Sequence, residues 1–305
     1  MKFRKWKAQS FSDKAFDVIN YTVLILIALI CLYPLYYIVI ISFSENVVGT
    51  YLWPNGFTLG GYEAVFKSKD IWMGYANTIF YTVTGVLFSL ALTLPCAYAL
   101  SRKDLVGRRL IVGYLTVTMF ISGGMIPSYL VVRDLHLLDT RLIIIILTGC
   151  SVYNIVVART FFTTTISGEL FEAARMDGCG NTWFFLKIAL PLSKPVIAVL
   201  ALWIGVGRWN SYFTEMIYLR DDSKYPLALY LKRVLWQVNA MKELLMGIGS
   251  NGETVEISQS MIEQARLVSI MQYVIIVCAT APMLAVYPFI QKYFTKGVMV
   301  GSVKG

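Results

Sequence analysis

Two places in this 305-residue sequence bring together residue types that could do chemistry or transmit it. The first is the pair Arg208 and Glu215, a cation and a carboxylate inside the otherwise apolar stretch 196–219, with Trp209, Asn210, Ser211, Tyr212 and Phe213 between them. An ionisable side chain at that depth is costly and marks function by default. At helical spacing Arg208, Ser211, Tyr212 and Glu215 share a face, so a polar stripe is expected, flanked by Trp209, Phe213 and Met216. Hydroxyls, an amide and aromatic rings suit a sugar, which offers apolar ring faces and many hydroxyls. An Arg208 that faces the cargo favours an acidic sugar. An Arg208 that instead pairs with an acid of a partner helix only holds an interface, and both readings stay open.

The second place is Glu172-Ala173-Ala174-Arg175-Met176-Asp177-Gly178, followed nine residues later by Ile188-Ala189-Leu190-Pro191. Its residues make a mechanical element. The stretch 168–176 is rich in good helix formers, Gly178 with Gly180 permits the left-handed backbone that ends a helix, and Asn181-Thr182 can cap a second one. Pro191 and Pro195 then bend the chain into the next apolar stretch. A helix-turn-helix is expected, with small Ala173 and Ala174 letting another protein approach closely.

Other chemistries lack their residues. His136, the only histidine, sits between leucines in a short connection and reads as a solvated loop residue. No nucleophile with a base and no carboxylate pair is recognisable, so the chain is not expected to be an enzyme. The five cysteines form no CxxC pair, which argues against zinc and disulfides. No G-x-x-x-x-G-K-[ST] phosphate loop occurs, so ATP and magnesium would have to be bound by another chain.

The elements that position these residues are membrane helices. With 57% hydrophobic residues, 15% charged residues and a mean hydropathy of +0.63, the chain has more apolar surface than one soluble core hides. Six runs are long enough for spans of roughly 20 residues: 18–43, 74–100, 110–132, 142–163, 196–219 and 267–290. The first is too long for a signal-peptide core and lacks a cleavage site, so it is expected to be retained. With both termini in the cytoplasm, the segments 1–17, 101–109, 159–195 and 291–305 hold 16 of 27 basic residues but 6 of 18 acids. The net charge of +9 is thus a topology signal. One domain over 1–305 is expected, with an inner loop at 164–195 and a long outer loop at 220–266. The outer loop carries an amphipathic part, Leu227 to Val238, and a polar part, Gly247 to Ser260, that could meet an extracellular partner.

The spacing Glu-Ala-Ala, three residues, Gly, nine residues, I-x-L-P resembles the EAA loop of binding-protein-dependent ABC importers. Asn77-Thr78 is similar to a further element of that family. The fifth span's Trp209-Asn210 and the ending Gly297 to Gly305 resemble those of maltose-transporter-like permeases. The resemblance implies an all-α, six-helix, multi-pass permease of the cytoplasmic (inner) membrane with the type I importer fold. It would form half of a translocation pathway with a homologous second permease, an ATPase dimer, an extracellular solute-binding protein and an oligosaccharide cargo. Glu172 would then be the charged contact to the ATPase, Ala173 and Ala174 the packing surface, Gly178 the turn, and Asp177, Leu190 and Pro191 part of the coupling surface. Arg208, Trp209, Asn210, Tyr212 and Glu215 would line the pathway. A self-contained secondary transporter or channel is the rival reading, weakened by the lack of a detectable inverted repeat and by the scarcity of intramembrane acids for ion coupling.

Overall fold

The computed structural model describes residues 10–45, 47, 52–250, 266–285 and 288. Among the described residues the chain is helical, joined by turns, with one antiparallel bridge between Ser44 and Phe57. In chain order the helices are α1 (Phe11–Ser42), α2 (Gly60–Lys67), α3 (Lys69–Ser101), α4 (Arg108–Phe120), α5 (Met125–Asp134), α6 (Arg141–Leu147) and α7 (Val152–Thr165). There follow α8 (Gly168–Met176), α9 (Asn181–Phe184), a π turn (Phe185–Ala189), α10 (Leu190–Leu192), α11 (Lys194–Trp209), α12 (Phe213–Tyr218) and α13 (Leu227–Ser250). The last described helix is α14 (Arg266–Ala285).

Three helices are long and apolar enough to cross a membrane alone: α1, α3 and α14. Three bent pairs pass the same test together, which gives up to six spans when each pair is counted as one, and the single helices expected over 110–132 and 142–163 do not form. Helices α4 and α5 meet at 109°, α6 and α7 at 51°, and the segment Asn181–Leu192 meets α11 at 78°. Each break has a local cause. Gly124 takes φ +83 at the first, a backbone that only glycine adopts without strain. At the second, a Cβ on Gly149 would stand 2.4 Å from the Phe88 ring. At the third, Pro191 and Pro195 flank Ser193.

Contacts group the chain into two compact units, 1–67 with 234–278 and 68–233 with 279–305. In the first unit most of α1 exposes its side chains, as a helix solvated by lipid does. Its end is pinned by Ser42, whose hydroxyl lies 2.9 Å from that of Tyr62, and by the Phe43 ring stacked 5.0 Å from Tyr62. Gly61 has no room for a side chain, because a Cβ there would meet Ile270 at 2.7 Å.

The second unit is built on α3, which packs against α7 and α11. Leu94, Ala97, Leu100, Ile155, Ala158, Phe162, Leu200 and Ile204 form its core. Asn77 and Thr78 close one end. The Asn77 amide donates to the carbonyls of Ser223 (2.8 Å) and Tyr225 (3.1 Å) and accepts from Arg141 at 3.0 Å. The Thr78 hydroxyl accepts from the Leu227 backbone N–H at 2.8 Å, satisfying the first turn of α13. The long outer segment expected at 220–266 is therefore helical through Ser250 and anchored at its start. Residues 251–265 and the C-terminal motif 297–305 lie outside the described residues.

A second tie on this side centres on Asp139, itself at φ +57. Its carboxylate accepts from the backbone N–H groups of Arg220 (3.0 Å) and Asp221 (3.1 Å) and pairs with Lys224 at 2.9 Å. The Arg220 N–H, foremost, and the Lys224 ammonium hold the Asp139 carboxyl down to about 2. A group whose pKa falls on folding contributes above its unfolded value, 3.8 here, and loses that contribution as pH drops towards 2. The tie is therefore intact at neutral pH. Hydrogen exchange at the Arg220 and Asp221 amides is expected to accelerate several-fold in Asp139→Ala at pH 7, and in the wild type only below about pH 4.

Candidate functional site

The segment 164–195 folds as the helix-turn-helix its residues dictate. Ser167 caps α8, its hydroxyl accepting from the Leu170 N–H at 3.3 Å, and Glu169 in the first turn and Arg175 in the last complement the helix dipole. Gly178 turns the chain at φ +79, while the Cys179 N–H reaches the Ala174 carbonyl at 2.9 Å. Gly180 has an ordinary extended backbone and is itself the N-cap of α9, so the expected side-chain cap from Asn181 or Thr182 is not made. The π turn that follows widens the helix just before Pro191, which has no N–H and clashes with the carbonyl four residues back in a regular α-helix.

Helix α8 has two faces. Phe171 and Ala174 point inward, with the Phe171 ring edge-on to Phe184 at 5.1 Å and Tyr98 packed against Phe162, Phe184 and Phe185. Glu169, Glu172, Ala173 and Met176 point outward, Met176 being 89% exposed. The two alanines therefore do different work: Ala173 is presented and Ala174 is packed within the chain. Asp177, Gly178 and Pro191 are also exposed, whereas Leu190 packs against the core.

Sequence reasoning missed Arg102. Its guanidinium lies 3.3 Å from the centroid of the Phe171 ring and forks onto Asp104 through bonds of 3.0 and 2.9 Å. That fork keeps the Asp104 carboxyl below the usual carboxylate range. The loop after α3 is thereby clamped to the inner face of α8. A cavity of about 440 Å³ opens at this junction, lined among others by Ser101, Thr163, Glu172 and Arg175. No signal in the sequence pairs Arg102 with a ring 69 residues away.

The expected polar stripe on the fifth span does not form, because α11 ends at Trp209 and the chain breaks at Asn210–Tyr212 before α12. Arg208 is only 7% exposed and donates to the carbonyl oxygens of Ile144 (2.8 Å) and Ile145 (3.4 Å), at the end of α6 where the fourth span bends. Gly85 makes room for it: a Cβ there would stand 2.9 Å from the Arg208 Nε. Glu215 is 2% exposed and accepts from the Ser211 hydroxyl at 2.8 Å. Trp209 donates its indole N–H to the Ala279 carbonyl at 2.9 Å and lines an apolar groove with Val83, Leu87, Leu202 and Met283. Asn210 remains exposed, Tyr212 half-buried and Phe213 53% exposed. Of the five residues expected to line a pathway, the structure leaves Asn210 exposed and Trp209 and Tyr212 half-buried, and it buries Arg208 and Glu215.

Residues 71–218 match the family model described as binding-protein-dependent transport system inner membrane component. The chain is 37% identical over 297 residues to the polygalacturonan/rhamnogalacturonan transport system permease protein YtcP of Bacillus subtilis (strain 168), covering 96% of this chain and 99% of that one. It is 38% identical to protein LplC of the same organism, with 96% of each covered. Among solved structures, a chain from the crystal structure of a bacterial ABC transporter involved in the import of the acidic polysaccharide alginate superposes with a TM-score of 0.80. That likeness has 38% identity and covers 94% of this chain and 99% of the other.

Proposed function

Because the chain belongs to the family of binding-protein-dependent transport system inner membrane components, we propose that it is one permease half of an ATP-driven importer of uronic-acid-containing oligosaccharides. The observation that carries the mechanical part is the two-faced helix α8: an outward face of Glu169, Glu172, Ala173 and Met176 over an inward face locked into the transmembrane core. A separate ATPase seats on the outward face on the cytoplasmic side. Its closure moves α8, and the aromatic packing from Phe171 through Phe184 to Tyr98 passes the motion to α3 and α7. The bent spans supply places where such a motion can be absorbed. Glu172 offers charge, Ala173 close approach and Met176 an adaptable apolar contact. A secondary transporter or channel has no use for this face. The acidic cargo is supported by the two relatives whose names carry acidic polysaccharides, one a permease and one a solved importer.

The reading is tested by purifying the chain with a second permease and an ATPase and adding binding protein with a galacturonate oligosaccharide. ATP hydrolysis should rise with the loaded binding protein and not with the glycan alone; hydrolysis indifferent to both would overturn it. Within that assay Arg102→Ala should lower stimulated hydrolysis several-fold with insertion intact, since a half-buried guanidinium on a ring is worth about 1–2 kcal/mol. Arg102→Lys should restore only part, because an ammonium cannot both stack flat on Phe171 and fork onto Asp104.

A further inference from the structure

Basic side chains at the outer end of the second unit are mostly paired. Lys224 holds Asp139 and Asp221, Arg233 holds Asp222, Arg133 holds Asp134, and Arg141 donates to Asn77. Three others make no ion pair among the described residues. Two of them, Lys69 and Arg220, are exposed to solvent, where a free cation needs no partner. The third, Lys232, is half-buried, makes no side-chain hydrogen bond among the described residues, and stands with its Nζ 5.3 Å from the centroid of the Tyr212 ring.

Its position follows from the fold. Thr78 and Asn77 fix the start of α13 at Leu227, and a Cβ on Gly74 would come within 3.2 Å of the Leu227 Cα, so this start is closely seated on α3. Lys232 lies five residues on and is carried to the break of the fifth span. There Asn210 and Phe213 are exposed inside a segment whose neighbours are apolar. An unpaired ammonium beside a ring, with an exposed amide at a helix break whose nitrogen donates one N–H to the Val206 carbonyl at 2.9 Å and whose oxygen faces solvent, is an arrangement that a carboxylate on a sugar ring completes. The cation meets the carboxylate, the amide a hydroxyl, and an aromatic face the apolar side of the ring.

We propose that Lys232, with Tyr212 and Asn210, forms a carboxylate-binding subsite for the uronic acid residues of the cargo. The inference rests on the acidic-oligosaccharide importer reading and adds the residue that distinguishes an acidic from a neutral sugar. Lys232 and not the buried Arg208 is the cation available to substrate.

The test uses the complete importer in proteoliposomes and two probes, a galacturonate oligosaccharide and the same oligosaccharide with its carboxyls reduced to alcohols. The readout is the ratio of acidic to neutral uptake for the wild type, Lys232→Gln and Lys232→Arg. A wild-type preference for the acidic probe is expected, about tenfold smaller in Lys232→Gln and largely kept in Lys232→Arg. An unchanged ratio in Lys232→Gln overturns the subsite while leaving the acidic-cargo reading standing. A wild type that shows no preference for the acidic probe overturns that reading and the subsite with it.

Discussion

Arg208→Met is expected to lower the melting temperature of the detergent-solubilised permease by roughly 10 °C, the largest stability loss of any single substitution on the fifth span. The side chain is buried, and its guanidinium reaches two carbonyl oxygens in the last turn of α6, just before the break ahead of α7. Removing it takes the charged donor from both acceptors and leaves the Ile144 carbonyl only the Thr148 hydroxyl at 2.8 Å; charged hydrogen bonds of this kind contribute about 1.5–3 kcal/mol each. Methionine keeps the volume, so the loss reports the hydrogen bonds and not a cavity. Gly85→Ala should act in the same direction with a smaller effect, since the new methyl displaces the guanidinium from the other side. Uptake of acidic and neutral probes per folded importer should fall in parallel. A selective loss of acidic uptake with an unchanged melting temperature would instead make Arg208 a substrate ligand.

Gly178→Val is expected to reduce binding-protein-stimulated ATP hydrolysis more than tenfold while leaving the amount of inserted permease close to wild type. Open space surrounds the position, with nothing within 4 Å of where a Cβ would stand, so no clash contributes. The cost is conformational: an L-residue at φ +79 is disfavoured by about 1–2 kcal/mol, more for a β-branched one. Relief comes by unwinding the last turn of α8, which carries Met176 and Ala173 away from the docking face. Gly178→Asn, which tolerates the left-handed region, should keep most of the coupling. Valine with full coupling would show that the turn is not part of the transmission surface.

How far these residues could be read in advance depended on the range of the interactions that place them. The apolar runs announced membrane helices because a span needs only local composition, and α1, α3 and α14 lie where the runs do. The turn at Gly178 was legible for the same reason. Arg208 was not: its expected partners assumed an unbroken helix, whereas the break at Asn210–Tyr212 and the bend 64 residues earlier together decide what it touches. Asn77 and Thr78 stood out as a pair, yet their purpose needs the backbone of residues 223–227, which leads into α13, brought across to α3. Ala173 and Ala174 were alike in the sequence and became different only when the core behind Phe171 fixed the rotation of α8.

The π turn at Phe185–Ala189 is a matter of phase as well as of proline accommodation. Each residue added to or taken from an α-helix turns everything beyond it by about 100°. The turn therefore sets the angle at which α8 and α9 are presented relative to the fifth span, much as a keyway sets a cam on its shaft. A hybrid permease joined inside residues 181–193 with a donor one residue shorter would carry an intact motif facing the wrong way. Under the proposed function, exchanges that keep Ser167 to Ser193 as one block are expected to preserve the timing between nucleotide closure and the opening of the pathway.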